Sequence, residues 1–200
     1  MVSTPRTVIF IGRSGSGKGT QGRLLENYLS REEGEFPVLY IESGARFRSF
    51  VTGGSPTADI SRRVQERGDL QPSFLSIWVW SDILIESFSG KEHLILDGVP
   101  RKESEALVLA EALRFYERVR PLVVFLEVSD SIARSRLTAR GRHDDGEEET
   151  IRTRMSWYES DVVPALEALR ADPSLTFVTI DGARPIEDIH EEIIRNVTSA

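Results

Sequence analysis

Ile9-Phe10-Ile11-Gly12-Arg13-Ser14-Gly15-Ser16-Gly17-Lys18-Gly19-Thr20-Gln21 is a short apolar run that breaks into glycines and ends on lysine, threonine and glutamine. Its apolar part, from Thr7, has the β-branched and aromatic make-up of a buried strand. Leu24, Leu25, Tyr28 and Leu29 then recur at helical spacing. A glycine-rich turn between a strand and a helix lets successive N–H groups converge on an anion at the positive end of the helix. Gly12, Gly15, Ser16, Gly17, Lys18, Gly19 and Thr20 therefore read as a phosphate cradle, with Lys18 reaching the β- and γ-phosphates as a mobile point charge. The spacing is G-x-x-x-x-G-K, but Gly19 stands where the usual pattern has serine or threonine, and the hydroxyl arrives one residue late as Thr20. A plain turn with a solvated lysine is the alternative; the flanking strand and helix favour the cradle.

Working outward, Pro37 leads into Val38-Leu39-Tyr40-Ile41, a second buried strand, and strand–helix–strand at this spacing begins a parallel α/β sheet. Three more apolar strands follow: His93 to Leu96 ending on Asp97, Leu122 to Val128, and Leu175 to Ile180. These predict a five-stranded doubly wound core with its ligands at the carboxyl ends of the strands. Between the second and third strands the chain is too long for one crossover. Helical patterns run from Ala45 to Val51, Ala58 to Glu66 and Ser73 to Phe88, which predicts a small helical insertion over 43–72. Trp78 and Trp80 read as packing residues rather than ligand stackers. Ile151, Met155, Tyr158, Val162, Leu166 and Leu169 repeat at steps of three and four, predicting a long helix that Pro164 kinks or restarts. A last helix runs near Ile186 to Val197.

With 200 residues, one domain over 1–200 is expected. Net charge is -7, which argues against nucleic acid or an anionic membrane as partner and makes the arginines around Arg134 to Arg142 a local feature. There is no cysteine, so neither disulfides nor thiolate metal sites, and no apolar run reaches membrane length. A cytoplasmic, monomeric protein is expected.

Four later segments join the cradle in a pattern that resembles the nucleoside-monophosphate kinases, the adenylate kinases most closely. In that family the phosphate loop ends G-K-G-T-Q, as Gly17 to Gln21 do, so the late hydroxyl matches. The family's T-G-D-x-L-R is met by Ser43-Gly44-Ala45-Arg46-Phe47-Arg48, and D-G-F-P-R by Asp97-Gly98-Val99-Pro100-Arg101. Its lid motifs R-G and G-R-x-D-D are compressed into Arg140-Gly141-Arg142-His143-Asp144-Asp145, and E-T-I-x-x-R is met by Glu149 to Arg154. The resemblance implies a P-loop kinase moving the γ-phosphoryl of ATP, with Mg²⁺, to a nucleoside monophosphate. It implies that Lys18 and the cradle hold the donor, and that Ser43, Gly44, Arg48, Gly98, Arg101 and Glu105 hold the monophosphate. Arg140, Arg142 and Arg154 would surround the phosphoryl group in flight, and Thr20 and Asp97 would serve Mg²⁺ through water. The chemistry agrees, because phosphoryl transfer spreads charge over equatorial oxygens that guanidinium forks hold bidentately. A phosphate acceptor is already an anionic nucleophile, so no base is needed; His93, His143 and His190 fall in no base constellation.

Three departures qualify what the resemblance implies. Arg13-Ser14 replaces Gly-Pro in the loop, with Arg13 expected to face solvent. The lid is cut to about 140–148, a near lid-less form whose shielding from water is in doubt. Glu105 replaces the glutamine that pairs with adenine; a carboxylate only accepts, which suits guanine's two donors, whereas Ser43 keeps the hydroxyl found in adenine-specific relatives. AMP is the favoured acceptor and GMP the alternative; a Glu105 that faces solvent from its helix is the other reading of that residue. Two rival functions remain at this level: a small-metabolite kinase, which would need a base, and a nucleotide-binding regulator without turnover, which would not need the full set of arginines.

Overall fold

The structure, a computed structural model, describes residues 4–32, 34–140 and 148–199. Arg142, His143 and nearly all of the lid stretch 140–148 lie outside the described residues. The chain runs β1 (Thr7–Ile11), α1 (Lys18–Glu32), β2 (Val38–Glu42), α2 (Ser43–Phe50), α3 (Pro56–Glu66), α4 (Ser73–Ser87), β3 (His93–Asp97) and α5 (Glu103–Phe115). It continues with β4 (Leu122–Glu127), α6 (Asp130–Arg140), α7 (Glu148–Trp157), α8 (Val163–Ala171), β5 (Thr176–Asp181) and α9 (Ile186–Ser199). The sheet has the order β2-β3-β1-β4-β5 and all four pairings are parallel.

Strand alternation sorts the core onto two faces. Ile9, Ile11, Leu94, Leu96, Val123 and Phe125 point to one side, where Trp80 and Leu84 of α4, Leu109 and Leu113 of α5 and Leu166 and Leu169 of α8 cover them. Val8, Phe10, Ile95, Val124 and Leu126 point to the other, under Leu25 and Leu29 of α1 and Ile189, Ile193 and Val197 of α9. Each such side chain contributes about 1.5–3 kcal/mol on burial. Because β1 lies between β3 and β4, the crossovers diverge at its carboxyl end and leave a crevice there.

α2 and α3 occupy the stretch expected to be helical between β2 and β3. α2 follows β2 without a turn, starting two residues before the predicted Ala45, and Phe47 and Phe50 seat it on Leu75 and Val79 of α4. Trp80 is 1% exposed in the core, while Trp78 meets Phe50 edge-on with ring centroids 5.4 Å apart, so both tryptophans pack. The expected long helix is interrupted. Between α7 and α8, Tyr158–Val162 form one π turn, closed by Val163 N–H on the Tyr158 carbonyl. Pro164, in the first turn of α8, has no N–H to give and its ring crowds the preceding turn, so the helix widens ahead of it.

Candidate functional site

The carboxyl ends of the strands open into a cleft of about 870 Å³. The loop after β1 supplies one wall. Its shape is held by Ser16 N–H donating to Arg13 O at 3.1 Å and by Lys18 Nζ donating to Gly12 O at 2.8 Å and Arg13 O at 2.7 Å. Gly15 has φ +84°, and a Cβ there would stand 2.4 Å from the Ala133 carbonyl oxygen, so only glycine lets the loop lie against α6. Gly15, Ser16, Gly17, Lys18, Gly19 and Thr20 line the cleft. Gly12 instead packs behind the loop against the Leu126 carbonyl. At position 19 a Cβ would stand 3.3 Å from Asp97 Oδ2, a tight contact that the carboxylate would ease by moving a few tenths of an ångström.

Cations converge from four other segments. Arg48 from α2, Arg101 from the loop after β3, Arg140 from the end of α6 and Arg154 from α7 all line the same cleft as Lys18. Gly44 is the point of approach, since a Cβ there would lie 3.2 Å from Arg48 Nη1 and 4.0 Å from Arg101 Nη2. The Arg101 fork is braced by Nε donating to the Gly98 carbonyl at 3.1 Å, which also accepts from Ser43 Oγ at 2.8 Å. Arg48 donates to Glu42 at 2.8 Å. Burial holds Arg101 below the ordinary guanidinium range, with Arg154 and Arg48 pushing the same way and Glu105 and Asp97 opposing. Cations placed to repel one another in a desolvated cleft form a site for a polyanion.

Asp97 ends β3, 7% exposed. The Tyr40 hydroxyl donates to its Oδ2 at 2.9 Å, and a Cβ on Gly22 would stand 2.6 Å from that hydroxyl, so Gly22 gives Tyr40 its room. Arg23 stacks over the Tyr40 ring at 3.9 Å and reaches Glu42 at 3.1 Å. Burial raises the proton affinity of Asp97; Lys18 and the Tyr40 hydrogen bond lower it. Among the described residues no group of three or more histidine and acidic side chains could hold a metal. The Asp97 carboxylate, against the first turn of α1 and beside Glu42 on the neighbouring strand, fits Mg²⁺ that keeps most of its water.

Glu105, in the first turn of α5, lines the same cleft and is 1% exposed, which corrects the reading of it as solvent-facing. Helix α4 closes over it: its Oε2 accepts the Arg101 N–H at 2.9 Å and the Ser76 hydroxyl adds a further hydrogen bond. Burial pushes the Glu105 carboxyl above its usual range, and those donors pull it back. Arg13 is also corrected. It stacks on Tyr158 at 3.9 Å and pairs with Glu159 at 3.1 Å and Asp130 at 3.5 Å, tying the loop to α6 and the π turn rather than facing solvent. His93 accepts the Arg6 N–H at Nδ1 and His190 meets Tyr28 edge-on; neither lines the cleft.

Lys18 is pulled down from the ordinary lysine range to about 8, by burial first, with Arg101 and Arg140 adding to it and Asp97 opposing. A bound phosphate favours the ammonium, so a neutral Lys18 must take up a proton on binding. The dissociation constant for ATP is therefore flat below pH 8 and weakens by up to about tenfold per unit above it. Calorimetry in buffers of different ionisation enthalpy checks this: proton uptake near zero at pH 7 and approaching one at pH 9.

Sequence reasoning passed over several cleft residues. Arg136 lines the cleft and points Nη1 at the Ser16 carbonyl at 3.4 Å; its i, i+4 relation to Arg140 was the available signal. Trp157 lines it too, holding the Gly68 carbonyl with Nε1 at 3.0 Å. Gln21 and Gln71 also border it. Tyr40 and Glu42 gave no signal beyond a strand.

The chain matches the family model described as Adenylate kinase over residues 10–172. It is 31% identical to "Adenylate kinase 1" of Nostoc sp., across 93% of this chain and 95% of that protein. It is 32% identical to "Adenylate kinase" of Trichodesmium erythraeum across 95% and 96%, and 30% identical to that of Leptospira biflexa across 96% and 100%. No helix among the described residues is long and apolar enough to cross a membrane.

Proposed function

The chain belongs to the adenylate kinase family and is a phosphotransferase, and on that premise we propose the division of labour by which it moves the γ-phosphoryl of ATP to AMP, giving two ADP. The observation that carries the reading is the convergence of Lys18, Arg48, Arg101, Arg140 and Arg154 on one cleft with Asp97 at its floor. Lys18 and the N–H groups from Gly15 to Thr20 hold the donor phosphates. Arg48 and Arg101, meeting at Gly44, grip the phosphate of AMP. Arg140 and Arg154, with Arg142 from outside the described residues, gather round the transferred group. These forks neutralise charge spread over equatorial oxygens, and the acceptor phosphate attacks without a base. Thr20 and Asp97 would hold Mg²⁺ through its water shell, and the ion would supply charge neutralisation at the phosphates. The insertion over 43–72 and the stretch 140–148 are the parts we assign to closing over the substrates.

AMP is favoured over GMP because Glu105 already accepts from Arg101 and Ser76, leaving little capacity for guanine's paired donors. Coupled assays with ATP and Mg²⁺ against AMP, GMP, CMP and UMP test this. AMP is expected to turn over at about 1–100 s⁻¹ and the others far more slowly. Transfer to none of them would overturn the reading and favour the regulator.

A further inference from the structure

Resting on AMP as acceptor, we propose that Gln71, not Glu105, reads the 6-amino group of the acceptor base, by accepting its N–H at Oε1. Gln71 stands between α3 and α4 and lines the cleft. Its Nε2 donates to the Ser61 carbonyl at 2.9 Å. A carbonyl oxygen only accepts, so the amide cannot be turned the other way round and Oε1 is fixed as the opposite end. That oxygen is buried and meets no donor among the described residues. A buried acceptor with no partner is a standing penalty that a bound N–H removes.

Its place is at the base end of the acceptor site. Ser73 and Ser104 pair their hydroxyls at 2.9 Å, and Ser76 hydrogen-bonds Glu105, so the starts of α4 and α5 are clipped together. Gln71 lies two residues ahead of that clip and lines the same cleft as Glu105. Glu105 itself spends Oε2 on Arg101, and Ser43 spends its proton on the Gly98 carbonyl. Among the described residues Gln71 Oε1 is unpartnered, as are Ser61 Oγ, which does not line the cleft, and Gln21 Oε1 in the first turn of α1. An exocyclic amine is the matching donor, and AMP offers one where a purine bearing hydrogen at that carbon offers none.

The test is a double cycle on binding, measured by calorimetry with the whole chain and no ATP. The ligands are AMP and purine riboside 5′-monophosphate, which lacks only the amino group; the proteins are wild type and Gln71→Met. Wild type is expected to bind AMP about tenfold more tightly than the analogue. Gln71→Met is expected to bind both alike, with AMP weakened about tenfold. If wild type binds the two ligands equally, the proposal is overturned without reference to any variant. If Gln71→Met keeps the wild-type preference, another group reads the amine and the proposal is likewise overturned, while AMP as acceptor stands. Failure of wild type to bind either ligand overturns the acceptor reading itself.

Discussion

Lys18→Met leaves a folded protein whose kcat/KM for ATP is down by about 10³-fold, the scale of removing a principal charge contact to the transferring phosphates. Methionine keeps the length of the side chain and its apolar stem, so the packing beneath the loop is preserved. What goes is a buried ammonium that bonds to two loop carbonyls, of Gly12 and Arg13, and faces the donor site. The stability readout separates the two roles. A lysine drawn down to about 8 is one whose charge the folded state disfavours. Below pH 8 the unfolded chain and the folded chain are both protonated there, and the folded chain bears the desolvation penalty. The sign follows: removing the ammonium at pH 7 relieves that penalty, offset by two lost hydrogen bonds to carbonyls at the loop mouth. The melting temperature of Lys18→Met is expected at or above the wild-type value while activity collapses. A large drop in melting temperature would show that Lys18 mainly holds the loop together, and transfer at the wild-type rate would remove it from the donor site altogether.

The fold was readable because it is written in local pattern. Short apolar, β-branched runs marked five strands, and one loop motif marked the end of β1, so the sheet and the cleft at its edge followed. The arginines were readable through the resemblance, because Ser43 to Arg48 and Asp97 to Arg101 follow the family's motifs and phosphoryl transfer calls for guanidinium forks. What escaped depends on partners distant in sequence. Arg13 meets Asp130 and Glu159, which only folding brings to it. Glu105 is buried because α4 lies across α5, and helical period alone cannot say which neighbour closes a polar face. Gln71 reads as loop; its significance comes from Ser61 fixing the amide and leaving the other end bare. The widening before Pro164 is of the same kind. Proline announced a disturbance, but whether the helix breaks, kinks or takes in an extra residue was decided by packing α8 onto α5. Gly19 goes the other way. Its oddity was visible at once, and what the structure adds is the neighbour, an Asp97 carboxylate 3.3 Å from where a Cβ would stand.

Arg101→Ala should be the more telling substitution, because this guanidinium lies where the proposed acceptor and transfer sites meet. It is coupled to Arg48 on the acceptor side, to Arg154 on the transfer side and to Lys18 on the donor side. A fork in that position strengthens its grip as charge moves from donor to acceptor. Its removal should lower kcat by about 10²–10³-fold and raise KM for AMP by a smaller factor. Loss confined to KM would mean that Arg101 only holds ground-state AMP. The fold should survive, since Ser43 still caps the Gly98 carbonyl and one of several mutually repelling buried cations has gone. Unfolding by denaturant is the control, with a midpoint no lower than that of wild type. Arg101→Lys sharpens the test: the charge returns but not the planar pair of donors, so a recovery of no more than about tenfold is expected if bidentate geometry matters. Added guanidinium ion should partly restore Arg101→Ala, because the vacated space is bounded by Gly44, Gly98 and the Glu105-braced backbone and has the shape of the lost group. A variant that transfers phosphate at the wild-type rate would mean that the acceptor's phosphate is held elsewhere, and the assignment of Arg48 at the same meeting point would fall with it.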